Sequence, residues 1–178
     1  MKYDIVKPQD SKILHEKCEV FDFDNPQMDP IELYQLLVDN LVKYKGIGLS
    51  ACQIGIPLRV FIMGHHSQPK EMLPVFNPTI VNYGEQEFTV EEGCLSYPGL
   101  FVKVKRPIEI RARFANEMGD VQTHNMREVD SRIFQHEYDH MDGITFHSRA
   151  SKIQMHMALK QQKKYERLRR KAGERIYV

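Results

Sequence analysis

The chain has 178 residues, 28% of them charged and 42% hydrophobic, with a formal net charge of +1. That is the length and composition of one globular domain, which argues against wholesale disorder, and no run approaches the roughly 20 apolar residues of a membrane helix. The N-terminal stretch MKYDIVKPQDSKILHEKC lacks the apolar core of a secretory signal, and three scattered cysteines (Cys18, Cys52, Cys94) argue against a disulfide framework and for a reducing compartment.

In chain order, Asp29, Pro30 and Glu32 read as the N-cap, N1 and N3 positions of a first helix. Ile31, Leu33, Leu36, Leu37, Val38 and Leu41 give it an apolar face to about Tyr44, and Gly46 is placed to end it. The segment GIGLSACQIGIP follows as a buried loop or strand, and Leu58 to Met63 as a short buried strand. Val75 to Phe76, Ile80 to Tyr83 and Glu87 to Val90 are β-rich runs interrupted by Pro78 and Gly84. Ile108, Ile110, Ala112 and Phe114 alternate with charged residues, the period of a half-buried strand, and Asn116 to Asp120 reads as a hairpin turn. A second helix is capped by Asp130 or Ser131, packed by Ile133, Phe134 and Met141, and ended by Gly143. A third runs from about Ser151 to Lys171 with a thin apolar stripe of Ile153, Met157, Tyr165 and Leu168. This pattern predicts an α+β domain: small antiparallel or mixed sheets around a central helix, with a C-terminal helix.

Charge is uneven along the chain. Residues 151–178 hold nine Lys or Arg against two Glu, while the first 150 residues are net acidic. A basic end suits an anionic partner such as nucleic acid, a membrane or a ribosome, and equally suits a solvated charged helix.

His136-Glu137-Tyr138-Asp139-His140 is an HExxH sequence on the second helix. Four residues turn an α-helix by about 400°, so His136 and His140 share a face and can reach one metal. Glu137 falls beside them, where its carboxylate can act on a water at the ion without ligating. A catalytic site takes a third protein ligand, and Cys94, in EEGCLSYPG, is the best candidate. A thiolate with two imidazoles suits Zn²⁺, Fe²⁺, Co²⁺ or Ni²⁺ rather than Mg²⁺ or Ca²⁺.

Three segments together resemble the peptide deformylase family: Gly46 to Gln53 (GIGLSACQ), Glu92 to Ser96 (EGCLS) and Gln135 to His140 (QHEYDH). The resemblance spans about residues 1–150, taken as the catalytic domain, with 151–178 a basic helical extension of it. It implies an enzyme that removes the formyl group from the N-terminal formyl-methionine of nascent chains and releases formate. Cys94, His136 and His140 would hold one divalent transition metal per chain, usually Fe²⁺, with Zn²⁺ or Ni²⁺ as substitutes. Glu137 would be general base and later acid. Gln53 and the Leu95 N–H would bind the oxyanion, and Ile47, Gly48 and Gly93 would line the cleft. The partners implied are N-formylmethionyl peptides, with possible ribosome contact through the basic C-terminal helix and no membrane or DNA. The compartment implied is the cytoplasm of a bacterial-type cell, an organelle being the alternative.

Departures from the family pattern carry their own expectations. Ser50 stands at a position usually held by another small residue, a mild change. Cys52 precedes Gln53 as a small buried side chain or, alternatively, as a thiol close enough to Cys94 to oxidise with it. Tyr97 and Phe101 are placed at the cleft mouth. Arg106 is either a buried partner of Glu92 or Asp139 or a surface residue, and Asp139 is structural. Two other functions compete. A plain HExxH peptidase would take His156 or Glu166 as third ligand, and a metal-buffering or ribosome-associated module would need neither Glu137 nor Gln53.

Overall fold

In the computed structural model, residues 3–7 and 12–171 are described; residues 172–178 of the predicted extension and parts of the N-terminal stretch lie outside them. The first helix, α1, spans Pro30–Tyr44, and Asp29 Oδ1 accepts the backbone N–H groups of Ile31 and Glu32 at 3.0 and 2.9 Å. Leu33, Leu37 and Leu41 are fully buried, whereas Ile31 points outward. The helix ends at Tyr44 as expected, but the left-handed residue is Lys45, φ 56°, and not Gly46; the Lys45 N–H bonds back into the last turn.

Seven strands follow. They are β1 (Gly48–Ser50), β2 (Val60–Met63), β3 (Leu73–Tyr83), β4 (Glu87–Cys94), β5 (Tyr97–Pro107), β6 (Glu109–Ala115) and β7 (Val121–Arg127). The main sheet has the order β1-β2-β3-β6-β7, and β4 and β5 pair only with each other; every ladder is antiparallel. Pro78 does not break β3. It sits where the β3–β6 register shifts, between Phe76 and Thr79, and Asn77 beside it has φ 49°. The missing proline N–H is thus accommodated at a bulge.

The helix α2 (Glu128–Met141) starts earlier than the expected Asp130 or Ser131 cap. No loop precedes it. Glu128 follows β7 directly with φ 50°, and its N–H donates to Ile108 O at 2.8 Å. Ser131 is fully buried and its hydroxyl donates to Pro107 O, so it ties α2 to the end of β5 instead of capping. β2 is buried along its whole length. Val60 and Ile62 join the core under α1; Phe61 and Met63 join the core under α2, where Phe61 meets Phe134 edge to face at 5.0 Å. The strand therefore reads as a continuous apolar run because helices cover both faces of the sheet.

The third helix, α3 (Lys152–Lys171), packs on β5. Its docking face is not the predicted stripe, since Ile153, Met157, Tyr165 and Leu168 are all exposed. Ala158 is buried instead, and Gln162 Nε2 donates to Pro98 O at 2.8 Å. No helix among the described residues is long and apolar enough to cross a membrane.

Candidate functional site

β4 ends at Cys94 and β5 begins at Tyr97, so Leu95 and Ser96 form the turn of that hairpin. The hairpin brings Cys94 to the His136–His140 face of α2. Donor atoms of Cys94, His136 and His140 all lie within 4.8 Å of one another, and Cys94 Sγ is 3.3 Å from His140 Nε2. The structure thus brings together the three residues that the two motifs pointed to, as a group able to hold a metal ion.

The surroundings fit a cation. His136 Nδ1 is 3.1 Å from Glu92 Oε2, which fixes the ring and directs Nε2 toward the other donors. Burial works against a charged His136, but bonding to Cys94 and Glu92 outweighs it and pushes the pKa up to about 10. The donors therefore create a point where positive charge is favoured. Burial and the charges of His136 and Arg106 hold His140 well below its ordinary value, so that its imidazole is neutral with a lone pair available.

Glu137 lies one residue along the helix and is 4% exposed. Burial raises its carboxyl above the ordinary range, against the opposing pull of His136 and the Ser50 hydroxyl. Ser50 Oγ donates to Glu137 Oε2 at 2.6 Å. A Cβ on Gly48 would lie 2.5 Å from Glu137 Oε1, so only glycine leaves room for the carboxylate there. Gln53 is equally fixed. Its Oε1 accepts the Ser50 backbone N–H at 2.8 Å, which leaves Nε2 as the end that approaches Cys94 Sγ, at 3.2 Å.

Beneath these groups lies a buried ionic layer. Arg106, 2% exposed, donates through Nε and Nη2 to the two oxygens of Glu92 at 2.7 and 2.9 Å, and through Nη1 to Asp139 Oδ2 at 2.8 Å. Arg132 adds a donor to Glu92 and Arg149 adds two to Asp139. Burial opposes ionisation of Glu92, but its bonds to His136 and Arg106 hold it well below the usual carboxylate range. Arg106 is thus the buried partner of both acids, and Asp139 is structural.

A cleft of about 540 Å³ opens over the donors, lined by Ile47, Gly48, Gly93, Phe101 and Ile133 among others. Gly93 packs under Phe101, whose ring would be 2.6 Å from an added Cβ. Phe101 is half exposed at the mouth as expected; Tyr97 also lines the cleft, but as a buried side chain against Phe146, ring centres 5.9 Å apart. Cys52 is the small, fully buried side chain of the first alternative; its thiol and that of Cys18 both lie against the His140 carbonyl, at 3.8 and 3.7 Å. His156 and Glu166 sit on α3 outside the donor group. Three residues were missed by the sequence reading: Ser50, set aside as a mild change; Arg132, whose place inside the apolar pattern of α2 was the available signal; and Arg149, which no local pattern marks.

Two imidazoles and a cysteine sulfur, a carboxyl beside them and an open cleft above form the arrangement of a metal-dependent hydrolase. The polypeptide deformylase family model matches residues 2–156. The chain is 32% identical over 191 residues to a peptide deformylase of Novosphingobium aromaticivorans, covering 95% of this chain and 98% of that one. It is 34% identical over 157 residues to that of Aquifex aeolicus, covering 86% and 87%. The solved structure of a peptide deformylase from Legionella pneumophila superposes with a TM-score of 0.81 at 29% identity, over 93% of this chain and 96% of the other. The chain belongs to the polypeptide deformylase family and is an enzyme of that family.

Proposed function

We propose that the enzyme hydrolyses the formyl amide at the N-terminal formyl-methionine of nascent polypeptides, releasing formate. The observation that carries this reading is the convergence of Cys94, His136 and the buried His140 beside Glu137 and Gln53, with Cys94, His136, Glu137 and Gln53 lining one cleft. A divalent ion held by the three donors supplies Lewis acidity and acidifies a water. Glu137 takes the proton from the attacking water and returns it to the departing amine, a role its raised pKa suits. The Gln53 amide and the Leu95 N–H serve as donors to the oxygen that becomes negative, each contributing on the order of 3 kcal/mol in comparable sites. Ile47, Gly48 and Gly93 shape the wall along which the peptide lies. The N/S donor set suits a borderline-soft divalent ion, and the family resemblance makes Fe²⁺ the native one, with Zn²⁺ or Ni²⁺ as substitutes.

In the same reading residues 1–150 form the catalytic unit of a cytoplasmic, bacterial-type enzyme. Exposed Lys160, Lys163, Lys164 and Arg167 support a contact of the 151–178 extension with ribosomal RNA. Salt-sensitive co-sedimentation with ribosomes, lost on reversing Lys163 and Lys164, tests that contact.

The activity itself is tested with formyl-Met-Ala-Ser and its unformylated counterpart on protein of measured metal content. Formate release from the first, with no internal cleavage of either, is expected. Glu137→Ala is expected to keep the metal and lose turnover; turnover at the parent rate would contradict the assigned roles.

A further inference from the structure

We infer that Ser50 is a positioning residue that makes the two oxygens of Glu137 unequal, so that Oε1 alone carries the transferred proton. This deepens the reading above and depends on Glu137 being the acid–base group. Ser50 is fully buried at the end of β1, and its hydroxyl lies 2.6 Å from Glu137 Oε2. The same hydroxyl is 3.4 Å from the Glu137 carbonyl oxygen, a much weaker contact. An ionised carboxylate only accepts, so the direction of the short bond is fixed: Ser50 donates.

The other oxygen is treated differently by the same strand. Oε1 fills the place that a Gly48 side chain would take, 2.5 Å from a built Cβ, and both Gly48 and Glu137 line the cleft. One three-residue strand therefore meets both carboxylate oxygens, occupying one with a donor and leaving the other against a bare glycine at the cleft wall. A proton taken from water goes to the oxygen that has no donor on it. The resulting acid has its O–H on Oε1 and its C=O on Oε2, still accepting from Ser50. The same Oε1 proton then passes to the leaving nitrogen as its bond to the formyl carbon breaks, and Glu137 returns to carboxylate. No rotation of the carboxyl is needed between the two transfers.

The inference predicts a spectroscopic signature. In difference infrared spectra of metal-loaded protein, with the Glu137 band assigned through Glu137→Gln, the protonated C=O stretch should lie at a hydrogen-bonded frequency. Ser50→Ala should move it upward. That variant should keep its metal and KM and lose about tenfold in kcat, the scale of one hydrogen bond to a charged group; Ser50→Thr, which restores the hydroxyl, should recover both readouts. A free-carbonyl frequency in the parent protein overturns the inference without any Ser50 variant. An unmoved band, parent kcat or metal loss in Ser50→Ala does so too. If instead Glu137→Gln itself turns over normally, the assigned role of Glu137 fails, which is a separate result.

Discussion

Gly48 and Glu137 are in direct contact: the glycine's missing side chain is the space the carboxylate occupies, with a built Cβ only 2.5 Å from Oε1. Gly48→Ala therefore has to displace Glu137, because the same Cβ would also lie 2.9 Å from Ile133, one turn earlier on α2. A misplaced catalytic group costs on the order of 10²-fold. The expected outcome is a fall of that size in kcat, with metal content unchanged. Steady-state kinetics with metal analysis checks it, and parent-like kcat would show that the carboxylate tolerates a shift.

Arg106→Met removes three hydrogen bonds from two buried carboxylates. Stranding a buried ion typically costs about 3–5 kcal/mol. Glu92 retains Arg132 and Asp139 retains Arg149, so the lower end of that range is expected. Urea unfolding of parent and variant measures it; a change under about 1 kcal/mol, the scale of a surface ion pair, would contradict the account.

His147 gives a pH dependence with a definite sign. Burial, aided by the charge of His15, holds its pKa below the ordinary value. As pH falls the unfolded chain takes up this proton before the folded one. The site's contribution to stability is whole above about pH 6.5 and is lost as pH drops through the lower folded-state value. His147→Gln should flatten the thermal midpoint against pH on the acid side of about pH 6.5. Melts over a pH series would show an unchanged slope if the proton is taken up elsewhere.

Because Cys52 is fully buried with its thiol against the His140 carbonyl, Cys52→Ala is expected to lose activity to peroxide at the same rate as the parent. The vulnerable thiol is Cys94, which lines the cleft. Timed inactivation at fixed peroxide compares the two proteins; protection in the variant would restore the Cys52–Cys94 pairing.

What could be read from the sequence depended on how local the cause was. Helix α1 was legible because Asp29, Pro30 and the leucine spacing act within a few residues. So were the metal donors, since helix geometry places His136 over His140 and a distinctive motif marked Cys94. The run Leu100, Val102, Val104, Arg106 alternates with exposed Phe101, Lys103 and Lys105, so β5 was readable in principle. Its signal was masked by an arginine on the buried side. β7 buries only Met126 and gave almost no apolar pattern. The face of α3 was misread because its docking uses Ala158, Gln162 and the partly buried Met155, while Ile153, Met157 and Leu168 point outward. Ser50 was undervalued because its partner lies 87 positions away.

The ionic layer under the site has a further consequence. Three guanidinium groups, from Arg106, Arg132 and Arg149, meet two carboxylates, Glu92 and Asp139. Arg106 alone reaches both acids, one on the strand that ends in Cys94 and the other on the helix that carries His136 and His140. A single side chain of β5 thus braces the thiol-bearing strand against the imidazole-bearing helix, so the spacing of the three donors is set by the protein's own ionic frame.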